Sequence, residues 1–475
     1  MHNGWKMMQE VYLFMHTIIQ KGSVWTENGF IQKDLLIIDG IIQRIAESIP
    51  VQGNAEIIDA GGNWIVPGFI DPHVHFNEPG RTEWEGIRSG SAAAAAGGIT
   101  TIVDMPLNSH PSVTTGQLAL AKKSSLEGRS YVDYGLWGGI TADNCRNYTE
   151  LNNQLSHGVI GFKGFMSNSG IHDFPYLDRS DLREAMAFCA EKQVILALHA
   201  EAEEELAKTA HRQGPGRRSF LDSRPVEAEL VALEWIIEDA LRYGTAVHVV
   251  HVSSADGVLM LNEAKRSGAD ITIETCPHYL LFTDEDFINQ GPLLKCAPPL
   301  RSDEVREELW DVLSKGMIDT IGSDHSPCPI PMKEAGNEDI REAWGGIQGV
   351  QFGHRALLSE GLKRGLTFET LLPMMTRNPA KRFLPDGAGG TIAPGTPANL
   401  TLMKDKETTI HNTEILFKHK RSPYAGMQVQ LDVDRVLLRG KSIYLGGAWV
   451  TGPPTGKCLT WGGMQDDQGT LRRIY

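Results

Sequence analysis

The stretch WIVPGFIDPHVH, residues 64–75, is a long apolar run that ends on two histidines one residue apart. Side chains alternate across a β-strand, so His73 and His75 are expected to face the same side. Two imidazoles on one side of a strand can bind a single cation. Taken alone, the pattern is as typical of a surface strand as of a metal site. The residues at the ends of the other predicted strands distinguish a metal site from a surface strand.

Seven further apolar runs follow this one, and helix-like segments separate many of them. The strand candidates are TTIVDMP (100–106), DYGLWGGI (133–140), GVIGFKGFM (158–166), VILALHAE (194–201), TAVHVVHVSS (245–254), ITIETCPH (271–278) and MIDTIGSDHS (317–326). Strands that alternate with helices indicate a parallel sheet. Eight such units predict an α/β protein whose residues 68–390 form a (β/α)8 barrel, or TIM barrel.

The two ends of the chain differ from the middle, because short strand-like runs and Gly or Asn turns follow one another there. Examples are LLIIDGIIQRIA near the start and DRVLLRGKSIYLGGAWV near the end. The simplest arrangement packs both ends into one small β-sandwich domain, residues 1–67 plus 391–475. Met7, Met8 and Met15 are alternative starts, so the first residue of the protein stays open.

Composition narrows the class of protein. The net charge of −14 argues against a nucleic-acid partner, which would require clustered Lys and Arg. The chain lacks an uninterrupted apolar run of about 18 residues, so no membrane span is predicted. The six cysteines form no C-x-x-C pair, which is typical of a reduced protein, and we expect a cytoplasmic location.

Polar residues close five of the predicted barrel strands. They are His73 and His75 on the first strand, Lys163 on the fourth, His199 on the fifth, His251 on the sixth and Asp324 on the eighth. Catalytic groups of such barrels lie at the carboxyl ends of the strands, so these side chains are expected to converge on one mouth. Convergence favours a metal site over chance. His248, three residues before His251, should face the opposite side and is given a structural role.

Lys163 is unusual among these strand-end residues, because metal cations repel a nearby ammonium group. A buried lysine usually pairs with a carboxylate or loses its proton. A third possibility is a carbamate formed with CO2, which changes the charge from +1 to −1 and provides two oxygens that can bridge two metals. All three alternatives stay open on the residues alone.

The order and spacing of these motifs resemble the cyclic amidohydrolases of the amidohydrolase superfamily over nearly the whole chain. The matching strings are HVH (73–75), GFKGFM (161–166), LHAE (198–201), VHVSS (250–254) and GSDHSP (322–327). The resemblance implies two divalent metal ions per subunit, Zn2+ by preference and otherwise Co2+ or Mn2+. It also implies a homotetramer.

The resemblance further assigns roles to the strand-end residues. His73, His75 and Asp324 would bind the more buried metal, and His199 and His251 the other. Lys163, as N6-carboxylysine, would bridge the two, and Asp324 would shuttle the proton. His278 and His325 stay as candidates for supporting positions.

Three branches of these enzymes compete for the substrate. Dihydroorotases resembling this chain carry an arginine for the substrate carboxylate where Asn77 stands, and asparagine cannot neutralise that charge. Hydantoinases and dihydropyrimidinases carry a tyrosine where Asn168 stands. The strings FNEPGRTEWEG (76–86), DMPLNS (104–109) and KCAPPLR (295–301) resemble allantoinases instead. The resemblance thus implies hydrolysis of allantoin to allantoate, with the other two branches, or an inactive assembly protein, as alternatives.

Candidate substrate contacts follow from the same resemblance. They are Asn77, Asn108, Asn168, Cys296, Ala297 and Gly346. Backbone near the last three would hold the ring amide, and Asn108 and Asn168 would contact the ureido arm, although both asparagines are equally typical of turns. Residues 327–345, rich in Pro and charge, predict a mobile loop near the mouth. Whether it closes over the substrate is left open by the sequence.

Overall fold

Strands from both ends of the chain enclose an alternating strand and helix region in the computed structural model, which describes residues 16–51, 53–446 and 452–460. The alternative starts Met7, Met8 and Met15 lie outside these residues. The strands are β1 (His16–Thr26), β2 (Gly29–Ile38), β3 (Ile41–Ala46), β4 (Glu56–Asp59), β5 (Trp64–Pro67), β6 (Phe69–Val74), β7 (Ile99–Asp104), β8 (Asp133–Leu136), β9 (Gly138–Gly139), β10 (Gly161–Phe165), β11 (Ile195–His199), β12 (Val247–Val249), β13 (Ile271–Thr275), β14 (Thr320–Ile321), β15 (Leu400–Thr409), β16 (Gln428–Leu438) and β17 (Lys441–Leu445).

Helices occur mainly between the strands of the middle region. The α-helices are α1 (Ile87–Ala96), α2 (Gly116–Leu126), α3 (Tyr148–Ser156), α4 (Arg179–Lys192), α5 (Glu203–Thr209), α6 (Arg217–Asp222), α7 (Val226–Tyr243), α8 (Ala255–Arg266), α9 (Pro277–Leu281), α10 (Asp284–Gln290), α11 (Asp303–Ser314), α12 (Ile330–Glu334), α13 (Gly353–Lys363), α14 (Phe368–Leu371) and α15 (Arg377–Phe383). Short 3-10 turns span Ala210–Arg212, Pro292–Leu294, Ala335–Asn337, Ile340–Glu342, Leu372–Met375 and Asn412–Glu414.

The strands of both chain ends hydrogen-bond into one sheet. Its order is β17-β16-β15-β5-β1-β2-β3, and β4 pairs in parallel with β1. The junction between early and late strands is antiparallel and sets Trp64 opposite Met403. Alternating apolar residues give this sheet its own core, which includes Ile19, Leu35 and Leu402.

The middle region is an α/β arrangement of parallel strands. One set follows the order β6-β7-β8 and the other β9-β10-β11-β12-β13-β14, with only Trp137 between β8 and β9. Every pairing within the two sets is parallel. A parallel bridge also joins Val74, at the end of β6, to His325, which follows β14.

Local sequence explains why these elements form where they do. The alanine run of α1 combines the best helix former with small side chains that are buried. Asp178 caps α4 through a reciprocal capping box with Asp181. Strand β11 is buried on both faces, as the apolar run ILAL before His199 requires of a parallel strand.

The opening stretch, residues 64–75, is two strands in the structure. β5 belongs to the sheet of the chain ends and β6 to the parallel strands, with Gly68 between them. A Cβ at Gly68 would collide with the side chain of Thr100, so only glycine permits this close crossing. The sequence did not indicate the boundary between β5 and β6, because both strands are buried and therefore read as one apolar run.

Two predicted strands are much shorter in the structure. Residues 245–254 pair as a strand only over Val247–Val249, and residues 317–326 pair as a strand only over Thr320–Ile321, apart from isolated bridges at His325. Beyond the pairing, His251 and Asp324 adopt positive φ values of 41° and 44°. Such a backbone is uncommon for residues other than glycine and re-aims the side chain after the strand ends.

The stretch 327–345 lies at the mouth of the parallel strands but is only partly loop. It contains α12 and two of the 3-10 turns. Proline at the start of α12 is favourable, because the first turn of a helix needs no amide donor there. Across the described ranges, none of the helices combines the length and the hydropathy that a membrane crossing requires.

Candidate metal centre and active site

Three of the predicted ligands form a compact buried group. The ligand atoms of His73, His75 and Asp324 all lie within 4.8 Å of one another. Nε2 of His73 is 3.2 Å and Nε2 of His75 is 3.3 Å from the same carboxylate oxygen of Asp324. Two imidazoles and a carboxylate are a donor set that suits zinc and related divalent metals.

The other nitrogen of each imidazole is held by the protein. Nδ1 of His75 donates to the backbone oxygen of Leu107 at 2.6 Å, and Nδ1 of His73 lies 2.7 Å from a carboxylate oxygen of Glu274. An imidazole that donates from Nδ1 keeps its lone pair on Nε2. Both Nε2 atoms are therefore oriented as ligands toward the Asp324 side.

His199 and His251 form a second pair. Nδ1 of His199 and Nε2 of His251 face each other at 3.0 Å, and Nε2 of His199 lies 2.8 Å from a carboxylate oxygen of Glu201. Arg224 pairs with Glu201, and these contacts hold the pKa of that carboxyl below its usual range although burial opposes them. His199 thus gives its Nε2 hydrogen to Glu201 and presents the Nδ1 lone pair to His251.

Nε2 of a neutral His251 can either donate its hydrogen to this lone pair or, without a hydrogen, share a cation with it. Burial first, then the charges on His199 and Lys163, hold the pKa of His251 well below its usual value. An uncharged pair of imidazoles this close together can offer both nitrogens to one cation. The ring of His251 also lies 5.5 Å from that of His73, which brings the pair next to the three-residue group.

Lys163 is buried at the floor of the site. Its Nζ has no hydrogen-bond partner within the described residues and lies 4.9 Å from the ring of Phe165. Burial lowers its pKa to about 7, against an opposing influence of Asp324 and Glu274. A buried amine without partners costs several kcal/mol, about 2–7, unless its surroundings or its chemistry change.

Glu274 joins the two halves of the site. One carboxylate oxygen accepts from His73 and, at 3.3 Å, from the backbone amide of His251, and the other lies 3.2 Å from Nε2 of His248. Burial would raise its pKa, but the nearby histidines lower it to about 2. Sequence reasoning missed Glu274 and Glu201. A carboxylate inside the buried run ITIETCPH, and another two residues after His199, were the available signals.

The supporting histidines occupy separate environments. His248 bonds to Glu274 and, at 3.0 Å, to the hydroxyl of Thr272, which suits the structural role expected of it. Nδ1 of His325 accepts from the backbone amide of Gly349 at 3.2 Å. His278 is buried, and burial lowers its pKa to about 4.

A cavity of about 350 Å3 opens above these groups. Five of the six predicted substrate contacts line it, namely Asn108, Asn168, Cys296, Ala297 and Gly346. Asn77 is buried behind the wall instead. It donates to the backbone oxygen of Pro327 at 3.3 Å, and its amide oxygen is 3.4 Å from Nδ2 of Asn108. Its influence on the substrate would therefore act through Asn108.

Three cations also line the cavity, and sequence reasoning missed all of them. They are Arg224, Lys295 and Arg341. Each already has a partner in the protein, since Arg224 pairs with Glu201, Arg341 pairs with Asp339, and Lys295 donates to backbone carbonyls. Lys295 opens the string KCAPPLR but was given no role there, and no spacing relation places Arg224 or Arg341 near strand ends, because all three belong to loops or 3-10 turns around the mouth.

Sequence comparison relates nearly the whole chain to known proteins. Residues 64–443 match the amidohydrolase family. The allantoinase of Deinococcus radiodurans is 42% identical over 449 residues, covering 93% of this chain and 98% of that protein. The allantoinase of Arabidopsis thaliana is 35% identical, with 90% of this chain and 88% of that protein covered.

Solved structures of hydantoinases have the same overall arrangement. The L-hydantoinase (dihydropyrimidinase) from Arthrobacter aurescens superimposes with a TM-score of 0.89 at 30% identity, covering 94% of this chain and 100% of that one. The dihydropyrimidinase from Brevibacillus agri superimposes with a TM-score of 0.87 at 28% identity, covering 97% of this chain and 100% of that one.

Proposed function

The chain belongs to the amidohydrolase family, and from that premise we propose that it hydrolyses the ring amide of allantoin to give allantoate. The observation that carries the substrate is the likeness to allantoinases along almost the full length, as with the 42% identical protein of Deinococcus radiodurans. The four histidines and the aspartate that line a 350 Å3 cavity, with the buried Lys163 near the lining residue Phe165, supply groups suited to amide hydrolysis.

For the architecture, we propose that β6 to β14 close into a (β/α)8 barrel. The parallel pairings, the single residue between β8 and β9, and the bridge from Val74 to His325 support a closed circle of strands. The catalytic domain would then be residues 68–390. Residues 1–67 and 391–475 would form the β-sandwich domain, supported by the sheet that both ends share.

The residues fit two divalent metal ions. His73, His75 and Asp324 offer one set of ligand atoms, and the facing nitrogens of His199 and His251 offer a second. Zn2+ is the first choice because imidazole and carboxylate are its usual ligands, with Co2+ or Mn2+ as alternatives. When bound, such metals would polarise the amide carbonyl and lower the pKa of water.

Lys163 fits the role of bridge as a carbamate. Its amine would add to the carbon of CO2 and release a proton, and the new carboxylate would carry the charge −1. The buried Nζ without a hydrogen-bond partner supports this, because an unmodified lysine would leave its donors unused. The two oxygens gained could reach both groups of ligands.

Asp324 is suited to move the proton. Burial would raise its pKa, but His73 and His75 hold the pKa of this carboxyl well below its usual range, so it is ionised at neutral pH. It can accept the proton of the attacking water and deliver it to the ring nitrogen as the C–N bond breaks. The products are the new carboxylate and the freed nitrogen of the opened ring.

The cavity walls offer contacts for the ureido arm. Nδ2 of Asn108 lies 3.4 Å from Asn77 and 3.5 Å from Ser326, which leaves its amide oxygen to accept from the arm. The amide oxygen of Asn168 accepts from Gly170 in a turn, so its NH2 group is the part available to the substrate. The amide of Gly346 already donates to Lys295 and its carbonyl oxygen already accepts from Lys333, so this residue would shape the cavity wall rather than hydrogen-bond the ring.

Hydrolysis of hydantoin or dihydrouracil is the second candidate, favoured by the TM-score of 0.89 to the L-hydantoinase. A panel of allantoin, hydantoin, dihydrouracil and dihydroorotate at equal concentration, with metal content measured on the same protein, separates the candidates. We expect allantoin to have the highest kcat/KM. A higher value for dihydrouracil or dihydroorotate would refute the substrate proposal, and no activity on any ring would favour an assembly role.

The assembly and location of the protein stay predictions. We expect a homotetramer in the cytoplasm, acting on a small molecule without nucleic-acid or membrane partners. Light scattering on the purified protein would test the tetramer. The filled positions at His73, His75, Lys163, His199, His251 and Asp324 disfavour an inactive assembly protein.

A further inference from the structure

One side of the substrate cavity is made by the segment Ile340–Gly346. The residues of this segment that line the cavity are Arg341, Ala343, Trp344, Gly345 and Gly346. Its backbone is fixed at Gly346, where φ is +136° and a Cβ would collide with Ser326. The segment follows α12 and includes a 3-10 turn, so few hydrogen bonds of regular structure hold it.

Lys333, on α12, reaches under the segment. Its Nζ donates to the backbone oxygen of Trp344 at 2.7 Å and to that of Gly346 at 2.5 Å. The residue is only 2% exposed, and burial lowers its pKa to about 8. Lysine is rarely buried unless it is paired, and here backbone carbonyls replace the usual carboxylate.

Lys295 holds the other half of the segment. Its Nζ donates to the backbone oxygens of Ile340 at 2.7 Å and Ala343 at 2.6 Å. Its own backbone oxygen accepts from the amide of Gly346 at 2.7 Å. Because Cys296 and Ala297 line the cavity, Lys295 links the two walls on which the predicted ring contacts lie.

We propose that Lys295 and Lys333 are positioning residues, whose ammonium groups hold Ile340–Gly346 as a fixed wall of the substrate cavity. Five of the seven carbonyls of this segment accept from the two buried ammonium groups, since that of Arg341 also lies 3.5 Å from Nζ of Lys295. Burying two cations is costly without such acceptors. Neither lysine touches the groups that would perform the chemistry. Replacing either lysine should raise KM more than it lowers kcat. A mobile wall weakens the contacts that bind the substrate, but it leaves the reacting groups in place.

The test uses the full-length, metal-loaded protein and the variants Lys295→Met and Lys333→Met. Methionine keeps much of the length of lysine and removes the charge and the donors. Lys315→Met is the matched control, because Lys315 has a side chain 54% exposed at the end of α11. Amide hydrogen exchange of residues 338–346, metal content, and KM and kcat for allantoin are measured on each protein.

We expect exchange in residues 338–346 to rise about tenfold or more in both variants, with no change in the control. Metal content should stay at the wild-type level. KM should rise about tenfold while kcat changes less than about threefold. Lys333→Gln, which retains amide donors, should recover part of both the protection and the KM.

Wild-type exchange in this segment in both methionine variants would overturn the proposal. So would faster exchange spread evenly over the chain, or failure of all the variants to fold, because either result makes the lysines general supports of the fold. The turnover measurement rests on the proposed function, but the exchange measurement does not. A wild-type protein inactive on allantoin would therefore refute the substrate and leave the positioning role to be decided by exchange.

Discussion

Lys163 and Lys333 are both buried lysines in opposite surroundings. Lys163 lies next to Phe165, which lines the cavity, and Lys333 lies behind the wall formed by Ile340–Gly346. Nζ of Lys333 donates to two backbone oxygens, at 2.5 and 2.7 Å. Nζ of Lys163 donates to nothing in the described residues and lies near an aromatic ring. Burial lowers the pKa of both, to about 7 for Lys163 and about 8 for Lys333.

The difference teaches how to separate a lysine that shapes the protein from one that reacts. A structural lysine compensates the loss of water with acceptors of its own, as Lys122 also does. Nζ of Lys122 lies 2.8 Å from Asp104 and donates at 3.0 Å to Ser109. A buried lysine that lacks such acceptors, next to ligand histidines, is the one expected to change its chemistry.

Lys163→Ala should produce the largest effect. If Lys163 carries the proposed carbamate, both proposed metal sites would lose a ligand, so we expect most bound metal and about a thousandfold or more of kcat/KM to be lost. Short carboxylic acids such as acetate or propionate should restore part of the activity. Metal analysis and allantoin hydrolysis check this, with Lys315→Ala as the exposed control. Full activity of Lys163→Ala would exclude the carbamate.

Lys122→Met tests the opposite kind of lysine. It leaves the buried carboxylate of Asp104 uncompensated, so we expect a loss of about 3–5 kcal/mol in the free energy of unfolding. Denaturant unfolding measures the loss, and metal content per folded protein should not change. The double variant Lys122→Met with Asp104→Asn should recover part of the stability. An unchanged denaturation midpoint for Lys122→Met would show that Lys122 does not stabilise the fold, and the contrast with Lys163 would fail.

His354 extends the comparison to a buried base that stays uncharged. Burial lowers its pKa to about 4 in the folded state. In the unfolded state the imidazole binds a proton below about pH 6.5, whereas in the folded state it stays neutral down to about pH 4. Its contribution to stability is present above pH 6.5, falls as the pH decreases, and is lost once the pH passes about 4. The loss amounts to about 3 kcal/mol.

His354→Phe keeps a ring against Phe69, which stacks on His354 at 5.8 Å, and removes the titration. Unfolding free energies of both proteins between pH 7 and pH 4 give the comparison. The variant should lose less stability across this range than the wild type. Parallel pH profiles would show that His354 does not titrate as its burial requires.

Glu274→Gln should give the smallest effect. The amide can still contact one neighbour of the carboxylate but cannot accept from His73 and His248 together. Loss of a partner behind a metal ligand weakens metal affinity about 10- to 100-fold. Competition with a chelator measures this, with the exposed Glu191→Gln as control. Equal affinity in the two variants would show that Glu274 does not orient His73.

The sequence was most informative where chemistry follows the ends of strands. His73, His75 and Asp324 could be found because polar residues interrupt apolar runs, and the structure gathers them within 4.8 Å. The amidohydrolase family and the parallel α/β arrangement were predicted correctly. Barrel closure and the domain boundaries stay predictions.

Elsewhere the pattern of side chains carried too little information. The contacts of Lys295 and Lys333 go to backbone oxygens, which leave no trace in sequence. Arg224 reaches the cavity from a loop after α6 and has no spacing relation to His199. The sequence suggested that Asn77 selects the substrate, yet its side chain bonds to Pro327 behind the cavity wall. Its effect on the substrate therefore depends on residues far away in sequence, which no local pattern identifies.

The junction between β5 and β15 has a consequence for biosynthesis. Trp64 pairs with Met403, so one edge of β5 stays without its neighbour until the late strands have left the ribosome. The parallel strands can assemble during that interval, because their pairings are between neighbours along the chain. An open strand edge is a template for pairing with other chains. Newly made protein should therefore be prone to aggregate until β15 has been synthesised.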